Sequence, residues 1–306
     1  MEPSRLPRFA RASAVAALQI TSRDRAIIRL VHRHRFLRSS HVISLVSGSR
    51  QQILRRLKLL YHHGYLERPR SQLDYYHKGG SREIVYGLSE KGAALLNQEP
   101  NTAIGAKWTD ENRSVGRMFL EHALLVSDVM VALELACRGS AKIRLIPAEV
   151  LAKAAMENAK PSLFRWKVNL PSGAKLGVVP DRAFALEFPD QSGGFERAYF
   201  FLEADRGTMP VMRKSLSQTS FYRKLLAYEA TWTQSIHRKR FGFHRFRVLT
   251  VTTNQARLKS MLQACLKLER GHGLFLFAER KSLKNLTDVS SPIWQTYDGE
   301  SARLLS

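Results

Sequence analysis

The sequence predicts an α+β protein in two parts: a mainly helical N-terminal domain closed by a short β-hairpin, then an α/β sandwich around a mixed sheet. Three observations predict it. The chain has 306 residues, enough to bury two cores. As far as Leu96, apolar residues recur at helical spacing, with Ser or Gly at the breaks. From IRLIPAEVL onward, extended apolar runs alternate with helical patterns.

Composition narrows the function classes. Lys and Arg number 49 against 26 Asp and Glu, a formal net charge of +23 and a pI near 10.5. Residues 1–100 hold 18 basic and 7 acidic side chains, 101–200 hold 13 and 11, and 201–306 hold 18 and 8. The excess thus sits at two ends flanking a nearly neutral middle. A polyanion is the natural partner, because each cation near a phosphate releases condensed counterions. At 44% apolar and 25% charged residues the chain is neither disordered nor fibrous. Cys137 and Cys265 match no metal-ligand spacing and point to a reducing, cytoplasmic setting. No apolar run reaches the ~20 residues that span a bilayer, so no membrane partner is expected.

Residues 1–20 read as a solvated basic arm with Arg5, Arg8 and Arg11. Ser22 caps a first helix through Ile27, Ile28 and Leu30 to Val31, and Ser39 or Ser40 caps a second, with Val42, Ile43 and Val46 inward. After Ser47-Gly48-Ser49, a third runs from Arg50 to His63 and stops at Gly64. Its apolar side is Ile53, Leu57, Leu60 and Tyr61; its other side carries Gln51, Arg55, Lys58 and His62. A basic, amide-bearing face suits a major-groove reader, and a solvated surface is the plain alternative. YLERPR and EIVYGL read as two strands around a loop with Lys78, Gly79, Gly80 and Arg82, and Ser89 caps a last helix. This order resembles the winged helix-turn-helix domain over residues 21–97. The resemblance implies double-stranded DNA as partner, held by Arg50, Gln51, Arg55, Lys58, Lys78 and Arg82. A second copy of the chain is a further candidate partner.

Residues 98–110 are polar and turn-rich, a linker, and 111–306 make the second domain. Glu111 to Arg138 reads as one long helix with Val115, Met118, Phe119, Val126, Val129 and Leu133 inward. Then come strands in IRLIPAEVL, FRWKVNL, LGVVPDRAFAL and AYFFLEAD, a helix from Val211 to Thr231, the strand RVLTVTT, a helix from Gln255 to Leu268, and the strand GLFLFAE. Along AYFFLEAD, alternation puts Glu203 and Asp205 on the face of Tyr199 and Phe201. Asp181 ends the preceding strand. Were those strands neighbours, three carboxylates would converge at one sheet edge, and hard oxygen ligands suit Mg²⁺ or Mn²⁺. The alternative pairs Glu203 and Asp205 with Arg182 or Arg206.

Pro180-Asp181, Glu203-Ala204-Asp205 and a helix with Lys224-x-x-x-Tyr228 resemble the PD-(D/E)XK nuclease superfamily. With the N-terminal winged helix and the string LEADRGT, the chain resembles the replication-relaxation family of bacterial plasmids and mobile elements. The resemblance implies Asp181 and Glu203 as metal ligands, with Asp205 standing where a lysine is usual. Lys224, or Lys214, would take that lysine's place, giving a candidate catalytic set of Asp181, Glu203, Asp205 and Lys224 for metal-assisted phosphodiester hydrolysis. Gln218-x-x-x-Tyr222 resembles a helix motif of the RecB-like branch. Glu121 and Asp128 could add acids from the long helix, or pair with cations such as Arg117. His122 falls in an apolar stripe, and Phe241, Phe243 and Phe246 interleave with cations in HRKRFGFHRFR, either stacking on nucleic acid or filling the core. Three functions compete: a DNA-binding replication or maintenance regulator whose nuclease-like domain need not cut, an Mg²⁺-dependent DNA endonuclease, and a protein-interaction module without DNA.

Overall fold

The computed structural model describes residues 8–13, 15, 17–73, 83–100, 104, 108–140, 142–155 and 163–305. The chain divides into two compact units, Met1–Val131 and Ala132–Ser306. It is a mixed α+β fold with one large mixed sheet.

In the first unit, α1 (Ser22–His34) starts at Thr21 rather than at Ser22. The Thr21 side chain accepts from the Asp24 N–H while the Asp24 carboxylate accepts from the Thr21 N–H, a reciprocal cap. A short strand that periodicity did not reveal, β1 (Phe36–Arg38), follows, then α2 (Ser39–Leu45) and α3 (Arg50–His62). Val42 and Leu45 are the buried apolar residues of α2, whereas Ile43 and Val46 are half-buried. The Ser49 hydroxyl caps α3 at the Gln52 N–H, 3.3 Å away. β2 (Leu66–Glu67) and β3 (Val85–Leu88) are antiparallel neighbours, and β1 pairs with the other edge of β3. The loop carrying Lys78, Gly79, Gly80 and Arg82 lies outside the described residues. α4 (Glu90–Leu96) is capped by Ser89.

Arg11, although exposed, is not a free arm residue. Its guanidinium donates to the Glu67 carboxylate and to the Tyr61 carbonyl, 3.1 Å away, because Glu67 is buried and needs a cation.

The long helix expected over Glu111–Arg138 is two helices, α5 (Trp108–Arg113) and α6 (Arg117–Arg138), broken at Ser114-Val115-Gly116. Register shifts with the break: Val126, Val129 and Leu133 are buried, but Met118 and Phe119 are 58% and 43% exposed. Leu120 and Leu124 instead pack on Phe36 and Val85. The Ser127 hydroxyl bonds the Phe36 carbonyl, and Asn112 bonds the Leu88 carbonyl. These contacts carry the first compact unit to Val131, past the 98–110 stretch.

The second unit continues with β4 (Arg144–Pro147), α7 (Ala148–Ala155), β5 (Trp166–Asn169), β6 (Lys175–Val178), β7 (Arg182–Pro189) and β8 (Phe195–Asp205). Then come α8 (Phe221–Thr233), α9 (Ile236–Phe241), β9 (Phe246–Thr252), α10 (Gln255–Cys265), β10 (Phe275–Glu279), β11 (Trp294–Gln295) and β12 (Ser301–Ala302). The sheet order is β12-β11-β10-β9-β8-β7-β4. β8, β9 and β10 are parallel, and the flanking pairs are antiparallel. Parallel neighbours need crossovers, which α8–α9 and α10 provide.

LGVVPDRAFAL is two strands. β6 pairs only with β5 as a separate hairpin, and the chain turns at Val179-Pro180-Asp181 into β7. The helix expected from Val211 begins only at Phe221, capped by Ser220, because residues 206–219 form turns. One core joins Phe201, Val248 and Phe277 of the sheet to Leu225 and Tyr228 of α8, Leu258 and Met261 of α10, and Trp166 of the hairpin. Phe241, Phe243 and Phe246 each lie within it at 3% exposure, so they fill the core and are unavailable for stacking on nucleic acid.

Candidate carboxylate site and candidate nucleic-acid interface

β7 and β8 are antiparallel neighbours, and Asp181 precedes β7 instead of ending β6. The Asp181 N–H donates to the Leu202 carbonyl at 2.9 Å, and its Oδ2 accepts from the Ala204 N–H at 2.7 Å. Asp181 therefore lies beside Glu203, near enough that its charge helps raise the Glu203 pKa.

Glu203 is 3% exposed and both of its oxygens are occupied. Tyr228 Oη donates to Oε1 at 2.6 Å and Lys224 Nζ to Oε2 at 2.5 Å. Lys224 and Tyr228 stand four apart on α8, which puts them on one helix face toward β8. Burial pushes the Glu203 carboxyl above its ordinary value of 4.5, the Lys224 charge opposes that rise, and Asp181 adds to it. Burial and then Glu203 drive the Tyr228 phenol well above its usual range. Burial alone would lower Lys224, but the Glu203 charge outweighs it and leaves the ammonium raised.

Asp205 is held by a residue that sequence reasoning missed. Arg257 of α10 donates from Nε to Oδ2 and from Nη2 to Oδ1, each at 2.9 Å. Thr252 Oγ1 at 2.8 Å and the Gly207 N–H at 3.0 Å complete the cage. Nothing local marks Arg257, since it follows the α10 cap as an ordinary first-turn residue. Glu203 pairs with Lys224 and Asp205 with Arg257. Lys214 and Gln218 lie exposed in the turns before α8. On α6, Glu121 pairs with Arg117 at 2.8 Å, and Asp128 with Arg38 and with His41 at 3.0 Å.

The donor set bears on Mg²⁺ or Mn²⁺. Such an ion needs carboxylate oxygens it can take directly. Both oxygens of Glu203 and both of Asp205 already accept from protein donors, and Lys224 and Arg257 would repel a divalent cation. As folded, the cluster does not fit a metal. Among the described residues no group of three His, Cys, Asp or Glu side chains could hold one. A cleft of about 250 Å³ does open beside Glu203, between α8 and β6, but Arg223 and Lys224 both line it.

A pH prediction follows for Glu203. Its folded-state pKa is raised, so its contribution to stability is full below 4.5 and is lost as pH climbs through the raised value. Glu203→Gln is expected to flatten the melting-temperature profile in the window that starts at 4.5. Parallel profiles for parent and variant would refute the assignment.

On α3, Ile53, Leu57, Leu60 and Tyr61 are buried as expected. Arg50, Gln51 and Arg55 are exposed and Lys58 is half-buried. Among the described residues none of these four makes a hydrogen bond or ion pair. Arg56, one residue from Arg55, is turned inward onto Asp24. His62 departs from the expected face. It is 6% exposed, its Nδ1 accepts from the Ala12 N–H at 3.2 Å, and burial followed by the Arg68 and Lys58 charges lowers its pKa. Among the described residues no helix is long and apolar enough to cross a membrane.

A family model described as replication-relaxation matches residues 28–245. No curated protein and no solved structure matches the chain.

Proposed function

The chain belongs to the replication-relaxation family, and from that premise we propose that it is a DNA-binding protein controlling replication or maintenance of a plasmid or mobile element, and that its carboxylate cluster holds the fold without cutting DNA. The carrying observation is the unpartnered side of α3. A helix surrounded by acceptors would have satisfied its cations, as Asp24 satisfies Arg56. Among the described residues the side chains of Arg50, Arg55 and Lys58 instead stand without hydrogen-bond or ion-pair partners beside Gln51. The order helix, strand, two helices and two antiparallel strands supports a winged helix-turn-helix with α3 as reader. The mixed sheet with Asp181 and Glu203 on adjacent strands supports a nuclease-like ancestry. The ion pairs Glu203–Lys224 and Asp205–Arg257 support loss of the metal, and with it the loss of cleavage.

The test is duplex DNA binding by anisotropy across salt concentrations. The double variant Arg55→Ala, Lys58→Ala is expected to bind at least tenfold more weakly, with the slope of log K against log salt reduced by about 2. Unchanged affinity would overturn the α3 assignment. Supercoiled plasmid incubated with Mg²⁺, Mn²⁺ or EDTA is expected to stay uncut. Metal-dependent nicking that Glu203→Gln abolishes would replace this reading with the endonuclease.

A further inference from the structure

A well-formed concavity in the second unit lies at the other end of the sheet from the carboxylates. β8 begins at Phe195, but its pairing with β9 begins only at Tyr199 with Phe246. In the notch this leaves is a pocket of about 610 Å³, within the range of small-ligand sites. Glu196, at its rim, stands seven residues along β8 from Glu203, about 20 Å at strand rise.

The walls are mostly carbon; Phe188, Tyr199 and Trp232 are partly exposed there, and Phe200 and Phe246, both buried, also line it. Two of these rings are backed rigidly. Tyr199 stacks on Phe243 with centroids 3.9 Å apart, and Trp232 lies parallel to His237 at 4.7 Å. Both remain only partly buried, so each is braced on one face and open to solvent over part of its surface. Gly273 also lines the pocket, and a Cβ there would meet nothing within 4 Å, so the wall stays open.

The charged lining is two guanidiniums and one carboxylate: Arg245, Arg247 and Glu196. Arg245 is exposed, and Arg247 donates to the Arg303 carbonyl at 3.3 Å. Among the described residues neither arginine has a carboxylate partner. Arg245 and Arg247 stand two apart across the start of β9 and both line the pocket, which puts two like charges on one side of the strand. Burial first, and then the Arg245 charge, hold Arg247 below its ordinary value. Two adjacent guanidiniums are relieved best by a doubly charged phosphate, which they can grip with paired hydrogen bonds. Braced rings beside them suit a flat base.

We propose that this pocket binds a nucleotide, its phosphate on Arg245 and Arg247 and its base against Tyr199 and Trp232. The nucleotide is either free or the phosphorylated end of a single DNA strand.

Calorimetric titration of the full chain decides it, with deoxyadenosine monophosphate, inorganic phosphate and a 5′-phosphorylated single-stranded oligonucleotide as probes. The mononucleotide is expected to bind the parent and inorganic phosphate to bind at least tenfold more weakly. Arg245→Gln, which is exposed and should not disturb folding, is expected to weaken the mononucleotide several-fold, and Arg245→Gln with Arg247→Gln more than tenfold. Arg55→Ala, Lys58→Ala should leave it unchanged, which separates this site from the α3 surface. If the arginine variants weaken the oligonucleotide as strongly as the mononucleotide, the source is a strand end; if only the mononucleotide, a free nucleotide. No mononucleotide binding to the parent, equal binding of inorganic phosphate, or binding unchanged in the double arginine variant would each overturn the proposal.

Discussion

Arg56→Ala is expected to destabilise the N-terminal unit by about 3–5 kcal/mol, the cost of stranding a buried charge by removing its partner. Asp24 is fully buried, and Arg56 donates to both of its oxygens, from Nε at 2.8 Å and from Nη2. Burial pushes the Asp24 carboxyl up, but hydrogen bonds from Arg56 and then Thr21 outweigh it and leave the group below its ordinary value of 3.8. A lowered carboxylate stabilises the fold above 3.8 and loses that contribution as pH falls through its folded value. Losing Arg56 should therefore also raise the pH at which the unit unfolds in acid. Denaturant titration and acid melts measure both effects. The pair also joins α1 to α3 and fixes the rotation of α3 that leaves Arg55 and Lys58 outward, so DNA affinity should fall with stability. An Arg56→Ala variant as stable as the parent would show that Asp24 finds another donor.

Arg257→Ala is the counterpart in the C-terminal unit, with an expected cost of about 3–5 kcal/mol. The guanidinium side chain is 14% exposed, and its partner Asp205 is 7%. Arg257 also donates to the Met209 carbonyl, so it ties the turns after β8 to α10. Arg257→Lys should recover only part of the loss, since an ammonium cannot give two parallel bonds to one carboxylate. Combining Arg257→Met with Asp205→Asn should cost less than Arg257→Ala alone, because no unpaired charge is then buried. Thermal melts of the three variants measure the order. If Mn²⁺ restores the melting temperature of Arg257→Ala while leaving the parent unmoved, the arginine occupies the place a cation once held.

Much of the fold was legible because it repeats locally. The apolar spacing of α3, the alternation of β8 and the serine caps before α3 and α4 are all short-range signals. The misread elements share a cause. β1 has only three residues and gains its place by pairing with β3, nearly fifty positions later. The sequence from Val211 onward reads as helix, yet the chain stays in turns as far as Ser220, and contacts of Asp205 with Gly207 and Arg257 hold the preceding turn. His62 is buried because the distant residue Ala12 bonds it, and Phe243, set among cations in sequence, because it packs in the core of the second unit.

The candidate site divides in the same way. The periods 2 and 3.6 alone put Glu203 and Asp205 on one face of a strand and Lys224 and Tyr228 on one face of a helix. Composition and spacing likewise set the charge excess and the cationic side of α3. Which cation meets which acid is a matter of long-range packing. Lys224 and Arg257, 21 and 52 positions away from their acids, are groups that α8 and α10 deliver to Glu203 and Asp205. A buried acid takes whichever donor the packing of helices on the sheet brings within about 3 Å, because leaving it unpaired costs several kcal/mol. That packing is set by the shared apolar core and not by any charge, so no local pattern in the sequence could announce it.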